Sequence, residues 1–348
     1  MCKIKIFGMG GLDENGKNTY VVNIDDHIFV LDAGLKYAND TIFGIDYILP
    51  DYSYLVQNKD KIVGVFITHA HPESYGGVND LIKVIPEIKV YATKYTYNQM
   101  ILEGIPASNL KLIETHKKIN ISKELSVFPV RVNHSVPDSV MYVINTADGA
   151  IVYTGDFIID PSMMGPYNMD LGKIAYVGKQ GVLALLCESS FSENIGHTSP
   201  NHHMSSFFKN IINKASGRVI FSVLPVHLYT IEGIFNAAKN THRKIVIMGK
   251  KLQNIINMAI KDNYMDIDTN MIGDLSNIND TDAILLVCDD RANPYNSMEK
   301  IIAGNDKYIK LISSDTVCFA EPKYDENEKL FVKIENELAM MDINTINI

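Results

Sequence analysis

The chain has 348 residues, 46% of them hydrophobic and 21% charged, the balance of an ordinary globular protein with room for about two domains of ~150 residues each. Its formal net charge of −9 argues against a generally basic nucleic-acid-binding coat, and no apolar run reaches the ~18–20 residues that span a bilayer. Four cysteines lie far apart with no C-x-x-C pair, and three of them, Cys187, Cys288 and Cys318, fall in apolar strand-like runs. That pattern predicts buried, reduced thiols and a cytoplasmic protein.

From the N-terminus the sequence goes straight into a strand pattern, "KIKIFGMGG", with no signal-peptide signature. Short β-branched and aromatic runs follow as far as about residue 195: "TYVVNIDDHIFVLDAG", "GVFITH", "IKVYAT", "LSVFPVRVNH", "VMYVINT", "AIVYTGDF" and "VLALLCES". The turn residues in "IDDHIF" and "NTADGAIV" predict hairpins. Helices are expected at "GGVNDLIKVIP" and "KYTYNQMILEG". After about residue 200 helix and strand alternate. "HHMSSFFKNIINKAS" precedes "RVIFSVL", "YTIEGIFNAAKNT" precedes "KIVIMG", and "KLQNIINMAIKDN" precedes "AILLVC". Such alternation implies a mainly parallel sheet. A last helix is expected at "ENEKLFVKIENELAMM".

The stretch "FITHAHPESYGG" places His69 and His71 two residues apart behind an apolar strand, with Glu73 after them. "FVLDAG" ends a strand at Asp32, "RVNHSVPDS" supplies His134 and "VYTGDF" supplies Asp156. Strand-end loops gather at one edge of a sheet, so these segments are expected to converge. Histidine and carboxylate donors in that number suit Zn²⁺, which takes three or four N/O ligands.

Those motifs, together with "GGLDENGKNTYVV", "FGIDYILPDYSYL", "NHSVPDSV", "LLCESSFSENIGHTSP" and "GRVIFSVL", give a chain that resembles the ribonuclease J branch of the metallo-β-lactamase/β-CASP nucleases over nearly its whole length. "FGIDYILPDYSYL" and "HSVPDS" are much more specific than the zinc motif, which many unrelated hydrolases share. The resemblance implies an αββα sandwich in residues 1–198, whose final segment is expected beyond this chain, and an inserted β-CASP α/β domain with a parallel sheet in residues 199–348. It implies metal-dependent cleavage of single-stranded RNA. His69, His71, His134 and Asp156 match metal ligands, Asp32 matches a supporting acid, and Glu73 stands where the family has a catalytic and ligating aspartate. Ser74 stands in place of a ligating histidine, and a further metal histidine is expected beyond Ile348.

The second half also departs from the family pattern. "CDDRANP", with Arg291 and the acidic pair Asp289 and Asp290, replaces a glycine- and serine-rich phosphate loop. "LPVH", ending in His227, replaces a Phe-Ala-Ser-Asn segment, and its Pro225 removes a backbone donor. "CESSFSE", with Ser189 and Ser190, reads as a turn or as the remnant of a substrate loop. The expectation is a ribonuclease J-like RNA-processing and mRNA-decay protein with a degenerate site. It would hold at most one tight Zn²⁺ or Mn²⁺, bind single-stranded RNA weakly alone, and assemble with a ribonuclease J-type subunit as a homo- or hetero-oligomer, with no membrane partner. The alternative is an active metal-dependent 5′-exo/endoribonuclease with one intact metal site. A small-molecule hydrolase would share the zinc motif but neither "GIDYILPDYSYL" nor the second α/β half.

Overall fold

The computed structural model describes residues 2–38, 44–190, 192–193, 195–196, 204–288, 295–321 and 328–348. The chain divides into two compact units, Met1–Asn201 and His202–Ile348.

In the first unit β1 (Ile4–Gly10), β2 (Thr19–Ile24) and β3 (His27–Leu31) form an antiparallel meander. Ile24 pairs with His27, so Asp25 and Asp26 make a two-residue turn, and Asp25 takes the positive φ of 51° that tight hairpins favour. The short strands β4 (Lys36–Tyr37) and β5 (Tyr47–Ile48) pair as a separate ribbon. Parallel to β3 come β6 (Ile62–Phe66), β7 (Val90–Ala92) and β8 (Leu110–Leu112), giving the order β1-β2-β3-β6-β7-β8. A second sheet contains β9 (Ile119–Asn120), β10 (Ser126–Arg131), β11 (Val140–Thr146), β12 (Gly149–Tyr153) and β13 (Val182–Leu186), in the order β13-β12-β11-β10-β9.

The two sheets pack face to face. Val22, Phe29, Leu31 and Phe66 of the first meet Val127, Tyr142, Ile144 and Ile151 of the second in one apolar cluster. The alternate residues Ile28, Val30, Val65 and Val90 are fully buried as well, so the first sheet is covered on both faces, as its parallel half requires. Helix Lys94–Leu102 packs along β7 and β8. On the other side, Val177 of helix Leu171–Gln180 joins Val130, Met141, Val143 and Val152 on the outer face of the second sheet. The unit is therefore an αββα sandwich. Among the described residues its edge strand β13 pairs with β12 alone, and Leu183 and Leu185 are 52% and 61% exposed. Cys187, which follows that strand, is exposed, against the expectation of a buried thiol. Cys288 and Cys318 are buried and Cys2 is half-buried.

The second unit holds β14 (Val219–Val223), β15 (Ile245–Met248), β16 (Ile272–Gly273), β17 (Ile284–Cys288), β18 (Thr316–Phe319) and β19 (Asn344–Asn347) in one sheet of order β16-β15-β17-β14-β18-β19, every pair parallel. Ile220, Leu285, Val317 and Phe319 face helices Asn296–Ile302 and Glu328–Met340 through Met298, Phe331, Ile334 and Leu338. Phe221, on the opposite face of β14, meets Phe208 of helix Met204–Lys214 at a ring-centroid distance of 5.4 Å. Helices thus cover both faces, the arrangement expected of parallel strands. Arg243 donates to the backbone oxygens of Gly217 and Ala215 at 2.8 and 2.7 Å. Among the described residues no helix is long and apolar enough to cross a membrane.

Candidate metal centre

Four strands of the sandwich deliver the candidate residues from their C-terminal ends. Asp32 follows β3, Thr68 and His69 follow β6, His134 follows β10, and Asp156 follows β12. The loops are tied together by backbone bonds: the Asp32 amide donates to Phe66 O at 3.0 Å, and the Val140 amide donates to Thr68 O at 3.0 Å. The turn after His71 is a short helix, Pro72–Tyr75, whose carbonyls clamp neighbouring loops. Pro72 O accepts from Leu35, Glu73 O from Asn18 and Ser74 O from Ala33. Gly34 is required here, because a Cβ on it would lie 1.6 Å from Glu73 O. Gly155 has φ +58°, and a Cβ there would lie 2.8 Å from the Thr68 side chain.

These constraints bring His69, His71 and His134 into one cluster whose donor atoms lie within 4.8 Å of one another. His71 Nδ1 and His134 Nε2 are 3.2 Å apart. His69, Glu73 and Asp156 form a second such group, sharing His69 with the first. His69 Nε2 lies 3.7 Å from Asp156 Oδ2, and His71 Nδ1 lies 3.1 Å from Glu73 Oε1. His69 is fully buried, and its Nε2 has no hydrogen-bond partner among the described residues. A buried lone pair without a partner is costly in a finished protein interior. Beside two further imidazoles it is what a metal ion would satisfy, so the donor set fits a bound metal.

Asp32 belongs to neither group and reaches the centre through Thr68. Its Oδ1 accepts from the Thr68 amide at 2.7 Å, and its Oδ2 accepts from Thr68 Oγ1 at 2.9 Å and from the Tyr153 hydroxyl at 2.8 Å. Burial pushes its carboxyl up to about 8 against those hydrogen bonds, which favour the charged form. Asp156 is pushed up to about 7, by burial first and then by the neighbouring charge of Glu73, with Glu188 adding to it. His69 is held well below the usual imidazole range by burial, and then by His134 and His71. The pocket therefore resists accumulating its own charges, of either sign, without a counter-ion.

The sequence-derived set separates accordingly. Asp32, His69, His71, Glu73, His134 and Asp156 come together in the first unit. Ser189 and Ser190 are exposed in the segment after β13, where the Ser190 amide donates to Glu188 Oε2 at 2.8 Å. His227 caps helix Leu228–Ala238 in the second unit, its amide donating to Leu224 O at 3.0 Å. Arg291, Asp289 and Asp290 lie outside the described residues. Ser74 is fully buried, and its hydroxyl oxygen has no hydrogen-bond partner among the described residues. Three residues that sequence reading did not single out also belong to the centre: Thr68, Ser135 and Tyr153. For the first two the signal was available, a hydroxyl residue directly beside a histidine in "THAH" and "NHS".

Comparison with known proteins agrees with this architecture. The Metallo-beta-lactamase superfamily model matches residues 12–177, and the model of the Ribonuclease J beta-CASP domain matches residues 216–338. The chain is 30% identical to Ribonuclease J 2 of Staphylococcus epidermidis and 31% identical to Ribonuclease J 2 of Staphylococcus aureus, over 344 residues in each case. Each alignment covers 97% of this chain but only 61% of the relative's length. Among solved structures, a protein of unknown function from Enterococcus faecalis shares the fold at a TM-score of 0.67 and 15% identity, over 99% of this chain and 87% of that one.

Proposed function

We propose that the chain, whose two halves match the metallo-β-lactamase superfamily and the ribonuclease J β-CASP domain, is a ribonuclease J-family RNA-processing protein with an impaired catalytic centre that works beside an active ribonuclease J-type subunit. His69, His71 and His134, with Asp156, would hold one tight Zn²⁺ or Mn²⁺. A bound ion of this kind supplies Lewis-acid polarisation of a phosphoryl oxygen. The protein's own contribution is to orient three imidazoles, to hold Asp156 in a buried position, and to brace His69 through Thr68 and Asp32.

The observation that carries the impaired reading is Ser74. A neutral buried hydroxyl stands where the family resemblance calls for an imidazole, and serine is a poor ligand for zinc at neutral pH. Glu73 keeps a carboxylate, but its Oε1 lies 3.1 Å from His71 Nδ1 and is drawn toward the first site. The acidic pair in "CDDRANP" and the proline in "LPVH" add departures in the second domain, so loss of activity is distributed over several sites.

Two assays test this reading. On 5′-monophosphorylated single-stranded RNA the wild-type chain cleaves weakly or not at all, and Glu73→Asp combined with Ser74→His does not restore cleavage. Robust cleavage by the wild type would overturn the impaired reading, and recovery in the double variant would show that the damage is confined to the metal motif. With a net charge of −9 the chain alone binds such RNA weakly at physiological salt, and the binding that remains falls with salt by a slope of about −0.7 per neutralised phosphate. Tight RNA binding by the isolated chain, with no nuclease captured beside it, would remove the case for a partner.

A further inference from the structure

The hydrogen bonds behind the two buried histidines run to opposite ring nitrogens. Behind His69, Thr68 Oγ1 lies 2.9 Å from Nδ1. Behind His71, Ser135 Oγ lies 3.0 Å from Nε2. The nitrogens left over are the ones turned toward the cluster: His69 Nε2 toward Asp156, and His71 Nδ1 toward His134 and Glu73.

Thr68 has a single hydroxyl proton. Thr68 donates that proton to Asp32 Oδ2, and when His69 gives Nε2 to a metal its ring proton sits on Nδ1, where the Thr68 oxygen accepts it. His69 is then the tautomer whose Nε2 carries a free lone pair. Ser135 does the reverse for His71. When His71 gives Nδ1, the atom 3.2 Å from His134 Nε2, to a metal, its ring proton sits on Nε2 and Ser135 Oγ accepts it. Neutral imidazole has one donor nitrogen and one acceptor nitrogen, so the partner of one sets the role of the other.

We propose that Ser135 and Thr68 are positioning residues of the metal centre, Ser135 fixing His71 to ligate through Nδ1 and Thr68 fixing His69 to ligate through Nε2. This rests on the reading of the histidine cluster as a metal site. An outer partner of this kind is worth about 10–100-fold in metal affinity.

The test combines zinc affinity, by competition with a chromogenic chelator, with ¹⁵N NMR of the histidine rings. Ser135→Ala is expected to lose about 10–100-fold in affinity, and Ser135→Thr, which keeps the hydroxyl, to retain most of it. Thr68→Val is expected to lose a similar factor and Thr68→Ser to retain it. In the metal-free wild type, the ring spectrum shows His69 protonated at Nδ1, and on zinc addition His71 is protonated at Nε2. The spectra of the wild type and of Ser135→Ala decide the matter even if Thr68→Val fails to fold. No zinc uptake by the wild type overturns the metal reading and this inference with it. Uptake that Ser135→Ala leaves unchanged, or a His69 ring protonated at Nε2, overturns the inference alone.

Discussion

His134→Ala removes tight zinc binding from the isolated chain. The loss exceeds the ~10–100-fold that deleting an outer hydrogen-bond partner causes, because the imidazole itself is one of three donors that lie within 4.8 Å of one another. Two buried imidazoles would be left, with Asp156 and Glu73 crowding the same space and repelling each other. His134 is only partly buried and sits in the loop after β10, so its truncation leaves the sandwich core of Phe29, Phe66 and Tyr142 in place. Thermal unfolding separates the two effects. Zinc at about 100 times its dissociation constant stabilises the wild type by ~2.7 kcal/mol and leaves His134→Ala unshifted, while the metal-free proteins unfold at similar temperatures. Equal zinc stabilisation of both would place the ion elsewhere.

Arg218→Ala weakens the second domain by about 3–5 kcal/mol, the usual result of removing one partner of a buried ion pair. The guanidinium makes two bonds to Asp315, Nε to Oδ1 at 2.8 Å and Nη2 to Oδ2 at 2.7 Å. It also donates to Ile278 O at 3.0 Å and to Lys310 O at 2.7 Å. One side chain thus ties the entry to β14 to the segment before β18 and to the turn around Ile278. Arg218 and Asp315 are 3% and 1% exposed, so water cannot replace the lost bonds without opening the fold. Asp315 keeps the Ile312 amide at 2.9 Å, which limits the damage. Lysine at 218 recovers part of the loss, since its ammonium cannot reproduce a planar fork. Denaturant unfolding of the intact chain measures the change, and a loss below about 1 kcal/mol would assign the pair a negligible structural role.

The elements most legible in the sequence were those with a strong apolar period. "TYVVNIDDHIFVLDAG" reads directly as the β2–β3 hairpin, and the helix–strand alternation after residue 200 as the parallel sheet of the second domain. Helix Leu171–Gln180 was not anticipated, because Gly172 and Gly178 weaken its local signal and its formation depends on Val177 packing against the second sheet. Strand β19, "NTIN", was missed as well: it is short and polar, and parallel pairing with β18 holds it in the sheet. The buried reading of "VLALLCES" took its apolar run at face value, whereas β13 is an edge strand and leaves Cys187 exposed.

At the site, the six residues that converge were all named by their strand-end motifs. The hydrogen bonds that orient them were not, since which nitrogen of His71 meets Ser135 depends on how the loop after β10 folds over the turn at Pro72. The outward position of Ser189 and Ser190 likewise comes from tertiary placement that no local pattern carries.

The central claim is a complete first set of ligands beside an incomplete second one, and metal content tests it most directly. Elemental analysis of the purified chain, after equilibration with zinc or manganese and removal of weakly held ion, should find one equivalent per chain at most, lost in His134→Ala and retained in Ser74→Ala. Two tight equivalents per chain, one of them lost in Ser74→Ala, would contradict it.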